Sequence, residues 1–150
     1  YPDGWALSTA ADALQEVLAL CPAGVRVCPW VRGPRAPGGG NKRVKNVWEP
    51  LIVCRGRSRQ VAEGLDDTLL GGGRQRSHPG ALVGMKPAPF AEWMFRLLGA
   101  LGGDQLDDLF PGSGAIGRAW KQYQAGATRS ALPSRLEERR FQLLDALGGP

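Results

Sequence analysis

The sequence predicts an α/β chain, with a mostly parallel sheet flanked by helices. Three observations carry that expectation. Short apolar runs alternate with segments of helical periodicity along most of the chain. The length, 150 residues, fits one domain, and 43% hydrophobic residues suffice for a core. A glycine-rich turn, Gly112-Ser113-Gly114, follows an apolar stretch and opens an amphipathic segment, as at a strand-to-helix junction.

Taken in order, residues 4–7 read as a short buried strand leading into Ser8 and Thr9, either of which suits a helix N-cap. Residues 11–20 place Leu14, Val17 and Leu18 at helical spacing, and Pro22 and Gly24 end that helix. Residues 25–31 alternate and are rich in Val, which predicts a strand, and Pro29 marks it as an edge or a strand end. Residues 32–46 form a basic loop with three consecutive glycines at 38–40. The next strand is read over 47–55, around Leu51-Ile52-Val53-Cys54. Residues 56–79 read as an irregular linker with room for one short element within 61–70. Phe90, Trp93, Met94, Leu97, Leu98 and Leu101 then fall on one helical stripe, which Gly102 and Gly103 end. A short strand over 105–110 and a helix over 113–123 complete the expected core, residues 1–123. The remainder, 124–150, reads as a small-residue linker and a C-terminal helix opening on the capping-box pattern Ser134-Arg135-Leu136-Glu137.

Charge is unevenly spread. The formal net charge is +5, and nine basic residues lie between Arg26 and Arg59 with Glu49 the sole acid among them. A stripe of that density attracts polyanions through counterion release, and a solvated loop gives the same pattern. Arg32, Arg35, Lys42, Arg43 and Lys45 are the candidate DNA contacts. Trp30 and Trp48 flank the stripe, where core packing suits them better than base stacking. Cys21, Cys28 and Cys54 are odd in number and lack Cys-x-x-Cys spacing, which argues against a disulfide framework or a zinc site and for a reducing cytoplasm. No apolar run approaches the length of a membrane span. His78, the single histidine, sits in a Ser-His-Pro loop and reads as solvated. The chain opens on Tyr1-Pro2-Asp3-Gly4 without Met, and the expectation is a fragment of a longer protein.

Gly112-Ser113-Gly114-Ala115-Ile116-Gly117 matches Gly-x-Gly-x-x-Gly. Glycine lets the backbone approach a ligand, and a helix N-terminus offers free N–H groups and partial positive charge. A tight turn that binds nothing has the same sequence. A P-loop fails for want of Lys after Gly114, a nucleophile elbow fails because Pro111 replaces its first glycine, and no strand follows residue 117 to complete a dinucleotide site.

The stretch from Asp108 to Gly117, Asp-Leu-Phe-Pro-Gly-Ser-Gly-Ala-Ile-Gly, resembles the Asp-Pro-Phe-x-Gly-Ser-Gly-Thr cofactor motif of amino-type DNA methyltransferases, which methylate N6 of adenine or N4 of cytosine. Gly84-Met85-Lys86-Pro87 and the helix after it resemble the family's Lys-Pro motif in its permuted order. The segments around Trp5, Arg26 and Trp48 resemble later strands of the catalytic half, so the resemblance covers roughly residues 1 to 120. It implies a Rossmann-like methyltransferase core with a partial, mostly parallel sheet. It also implies S-adenosylmethionine contacts from Lys86, Pro87, Asp108, Phe110, Gly112, Ser113 and Gly114. Leu109 replaces the family's Pro and Ala115 its Thr. The family's Pro-Pro-aromatic catalytic tetrapeptide, which grips the flipped base, is absent from this sequence, and no residue is assigned to catalysis. The expectation is cofactor binding with little or no turnover, the catalytic motif lying upstream of this sequence or being supplied by a partner subunit. A methylase remnant that binds DNA or a partner through the basic loop is the alternative.

Overall fold

The computed structural model describes residues 1, 3–32, 46–57, 64–71 and 85–131, with 127–131 by backbone alone. Four strands form one sheet in the order β1-β3-β2-β4: β1 (Trp5–Ser8), β2 (Arg26–Val31), β3 (Trp48–Cys54) and β4 (Leu69–Leu70). The helices are α1 (Leu14–Ala19), α2 (Ala88–Leu97) and α3 (Ala115–Ala131).

This sheet corrects the expected mostly parallel, Rossmann-like core. β3 runs antiparallel to both β1 and β2, and among the described residues the only parallel pairing is β2 with β4, over Trp30↔Leu69 and Val31↔Leu70. Because β3 opposes both neighbours, β1 and β2 point the same way, with α1 between them in sequence. The alternating pattern in the chain therefore reflects that one unit, and β3 returns between its strands. Local periodicity carries no information about that return.

Two prolines face each other in the β2–β3 pair, Pro29↔Pro50. Thr9 N–H donates to the Pro50 carbonyl at 3.2 Å, so the polar groups of Pro50 point toward β1. The Pro29–Pro50 rung is thus of the type that exchanges no hydrogen bonds, so neither missing N–H costs a bond between β2 and β3, while toward β1 the Thr9–Pro50 rung keeps only the bond that Thr9 donates. β4 pairs with β2 at Trp30 and Val31, and among the described residues no strand pairs with Pro29 on that side.

β3 is buried from Pro50 to Cys54, and alternation sends Leu51 and Val53 to one face and Ile52 to the other. Leu51, Val53, Cys28 and Trp30 meet Phe90, Ala91, Trp93, Met94 and Phe95 of α2, with Ala119 and Trp120 of α3 closing the cluster. α2 begins on Pro87 in extended conformation and carries Pro89 in its first turn, where no N–H is required. It ends in a Schellman turn: Ala100 N–H donates to Phe95 O at 2.9 Å and Gly99, at φ +64°, donates to Arg96 O at 3.0 Å.

Three local readings also change. α1 starts at Leu14 after Ala13 with no side-chain cap, so neither Ser8 nor Thr9 caps it. Residues 105–110 form no strand. Instead of a linker from 124, α3 continues to Ala131, favoured by its alanines. The reading of a helix after Ser134 lies outside the described residues, as do His78, Gly84, Arg35, Lys42, Arg43 and Lys45.

Candidate functional site

A cavity of about 910 Å³ opens between β1, one face of α2, residues 104–113 and the first turns of α3. Its walls are mainly apolar, from Trp5, Leu7, Phe90, Met94, Leu106 and Ile116 among others. Lys86, Asp108, Phe110, Gly112 and Ser113, singled out by sequence, all line it. Pro87 and Gly114 do not. Pro87 is the N-cap of α2, and the Arg118 guanidinium lies 3.1 Å from where a Cβ on Gly114 would stand.

The turn after Phe110 is set by its own backbone. Asp108 Oδ1 accepts from Phe110 N–H at 3.2 Å, Gly114 N–H donates to Pro111 O at 2.6 Å, and Gly112 and Gly114 have φ of +46° and +70°. Glycine adopts that left-handed conformation without a Cβ penalty. A Cβ on Gly112 would meet only Phe110 O, at 3.8 Å, so the space over this glycine is open. Phe110 is 81% exposed at the rim, and Arg118 Nη1 donates to Ser113 O at 2.9 Å.

Lys86 stands at the opposite wall. Its ammonium pairs with Glu49 Oε2 and sits 5.4 Å from the Trp30 ring centroid and 5.5 Å from that of Phe90. Arg32 takes the other carboxylate oxygen of Glu49 at 2.7 Å, donates to Asn46 O at 3.2 Å and lies 5.9 Å from the Trp30 centroid. Arg32, expected on a DNA-facing stripe, is therefore turned into an ion cluster with its side chain 21% exposed. Glu49 was legible only as the lone acid in a basic stretch, and that isolation was the signal for a half-buried counterion.

A second cluster secures the wall at 104. Arg57 bridges Asp104 and Asp3, the latter at 3.3 Å, and Asp104 also accepts from Leu101 N–H at 2.8 Å. The hydrogen bond from Arg57 and then the Leu101 N–H hold the Asp104 carboxyl below its usual range, against a smaller opposing effect of burial. The same hydrogen bond raises the Arg57 guanidinium. A depressed carboxyl contributes stability above its unfolded pKa and loses it as pH falls through the folded value. Asp104→Asn is therefore expected to flatten the acid limb of a plot of Tm against pH. Parallel acid limbs in variant and parent would contradict this role.

Cys28 is buried, and desolvation followed by the Asp67 carboxylate raises its thiol pKa, with Arg26 opposing. It remains a protonated core group and not a nucleophile at neutral pH. The three cysteines are unpaired, and among the described residues no group of His, Cys, Asp and Glu is placed to hold a metal. No described helix is long and apolar enough to cross a membrane. No family model, curated protein or solved structure matches this chain.

Proposed function

We propose that this chain is the S-adenosylmethionine-binding part of a DNA methyltransferase acting on an exocyclic amino group of adenine or cytosine. The observation that supports this most is convergence. Lys86 and the Asp108 to Ser113 turn, distant in sequence and each resembling a motif of that family, line one cavity. The cavity is at the upper end of the roughly 300–1,000 Å³ range of small-molecule sites, and its apolar walls with a few polar groups suit a nucleoside.

S-adenosylmethionine supplies, when bound, an electrophilic sulfonium methyl for transfer to an amine. The residues of this chain bind and orient. Asp108 has one carboxylate oxygen committed to Phe110 N–H, which leaves the other for a ribose hydroxyl or an ammonium. Phe110 offers an exposed ring for stacking, and the bare backbone at Gly112 permits close approach. The grip on the target base is not assigned to any residue here, since the Pro-Pro-aromatic tetrapeptide is absent from the sequence. DNA is the proposed methyl acceptor.

Titration calorimetry with S-adenosylmethionine tests the reading. Saturable heat is expected, with affinity falling at least tenfold in Asp108→Ala and in Gly112→Val. Absence of heat at high micromolar ligand, or equal affinity in both variants, would count decisively against it.

A further inference from the structure

Two charged residues near the ends of β3 hold the two halves of the cavity. Glu49, the second residue of the strand, pairs with Lys86 on one wall. Arg57, three residues beyond the last, pairs with Asp104, which begins the stretch that runs through Asp108 to Gly112 on the other wall. β3 lies between β1 and β2, bonded to both, and is buried from Pro50 to Cys54. It is therefore a rigid member joining the two charges.

The chain is strained where it presents Arg57. Arg55 has φ +62°, the one positive φ outside glycine among the described residues, and Gly56 follows at +104°. A non-glycine residue in that region persists only where its surroundings enforce it, and such positions cluster at functional sites. A Cβ on Gly56 would lie 3.2 Å from Leu97 O, and one on Gly4 would lie 2.7 Å from Gly56 N. The turn thus passes backbone to backbone between the start of β1 and the end of α2. Arg57 N–H donates to Leu98 O at 3.0 Å, so its guanidinium extends from a fixed point. The planar fork reaches Asp104 and, at 3.3 Å, Asp3.

Asp104 has other ties, but they come from the helices. Leu101 N–H donates to its carboxylate at 2.8 Å, and Gln124 of α3 donates to its carbonyl at 3.3 Å. Among the described residues, Arg57 is the polar link from the end of β3 to residues 104–113. No backbone group of 105–109 bonds to another described backbone group, so the placing of Asp108 depends on how Asp104 is held and on Leu106, which packs on the core.

Resting on the S-adenosylmethionine reading, we propose that Arg57 is a positioning residue of that site. By holding Asp104 to the end of β3, it sets the turn from Asp108 to Ser113 at the separation from Lys86 that one ligand spans. It touches no cofactor itself. A ligand that reaches both walls gains from its second contact only when the walls stand at its own length, whereas a fragment on one wall is indifferent to the other.

The test is titration of the full 150-residue chain with S-adenosylmethionine, by calorimetry, and with adenosine, by NMR shifts. Adenosine reaches only the turn. Arg57→Met is expected to weaken S-adenosylmethionine at least about tenfold and adenosine by no more than about twofold, and retained adenosine binding shows that the variant is folded. Arg57→Lys, which keeps a charged donor for Asp104, is expected to lose less than Arg57→Met. Combining Arg57→Met with Asp104→Asn is expected to cost no more than the worse single change, since both break one link. Equal losses for the two ligands would overturn the proposal, because the turn itself would then be damaged. Unchanged S-adenosylmethionine affinity in Arg57→Met, or additive losses in the double variant, would also overturn it. Those three results leave the cofactor reading standing, whereas a parent chain that binds no S-adenosylmethionine removes both.

Discussion

Replacing Phe95 with Ala is expected to lower the unfolding free energy by about 3–5 kcal/mol, the range for removing an enclosed aromatic ring. Phe95 is 1% exposed and lies 5.0 Å from the Trp120 ring and 5.3 Å from that of Tyr123. Trp120 and Tyr123 stack on each other at 5.6 Å, and the Tyr123 hydroxyl donates to Ala100 O at 3.1 Å. Phe95 is thus the residue of α2 around which α3 is seated. Its loss leaves a cavity that rigid neighbours fill poorly, and it loosens the base of the turn at Gly112. Denaturant midpoints at constant m-value measure the first effect. Faster amide exchange in α3 than in β3 would report the second. A loss below about 1 kcal/mol would mean that the ring is not enclosed.

Glu49→Ala is expected to have a loss on the order of 3 kcal/mol by a different route, the stranding of two cations. Arg32, Glu49 and Lys86 have side chains only 21%, 17% and 20% exposed, so water does little to screen them. Without the carboxylate, two positive groups share the Trp30 ring with no other counterion paired to them among the described residues. Glu49→Gln should fall between Ala and the parent, since it keeps acceptor geometry and loses charge. Lys86→Met in the Glu49→Ala background should recover part of the loss by removing one stranded cation. Additive rather than compensating effects in that double variant would show that the pair is not coupled. Because the same carboxylate holds Lys86 at the cavity wall, the proposed cofactor role also has Glu49→Ala weaken S-adenosylmethionine binding at least tenfold.

Local pattern made much of this molecule legible. Apolar runs located β1, β2 and β3 to within a residue or two, and the helical stripe from Phe90 located α2. Pairing was not legible. β3 returns antiparallel between β1 and β2, and periodicity within a strand does not name its neighbour. The stretch 105–110 shows the converse, since its apolar residues satisfy a strand pattern yet a strand exists only with a partner. Small residues after Tyr123 suggested a linker, but alanine favours helix, and α3 continues through them. At the site, the glycine turn and Lys86 stood out because their chemistry is local. Glu49 with Lys86 and Arg57 with Asp104 pair across 37 and 47 residues, and no short motif announces such contacts.

The facing prolines of β2 and β3 also restrict how the chain can misfold. Slipping β3 by one position along β2 would turn Pro29 or Pro50 onto a rung that demands an amide proton, and neither residue has one. The same slip would carry Leu51 and Val53 out of the core. Two residues that exchange no hydrogen bond with each other in the native sheet thereby penalise its nearest competitor. A misaligned β2–β3 pair, once formed, would be short-lived, and the sheet would reach one alignment despite the long connection between its central strands.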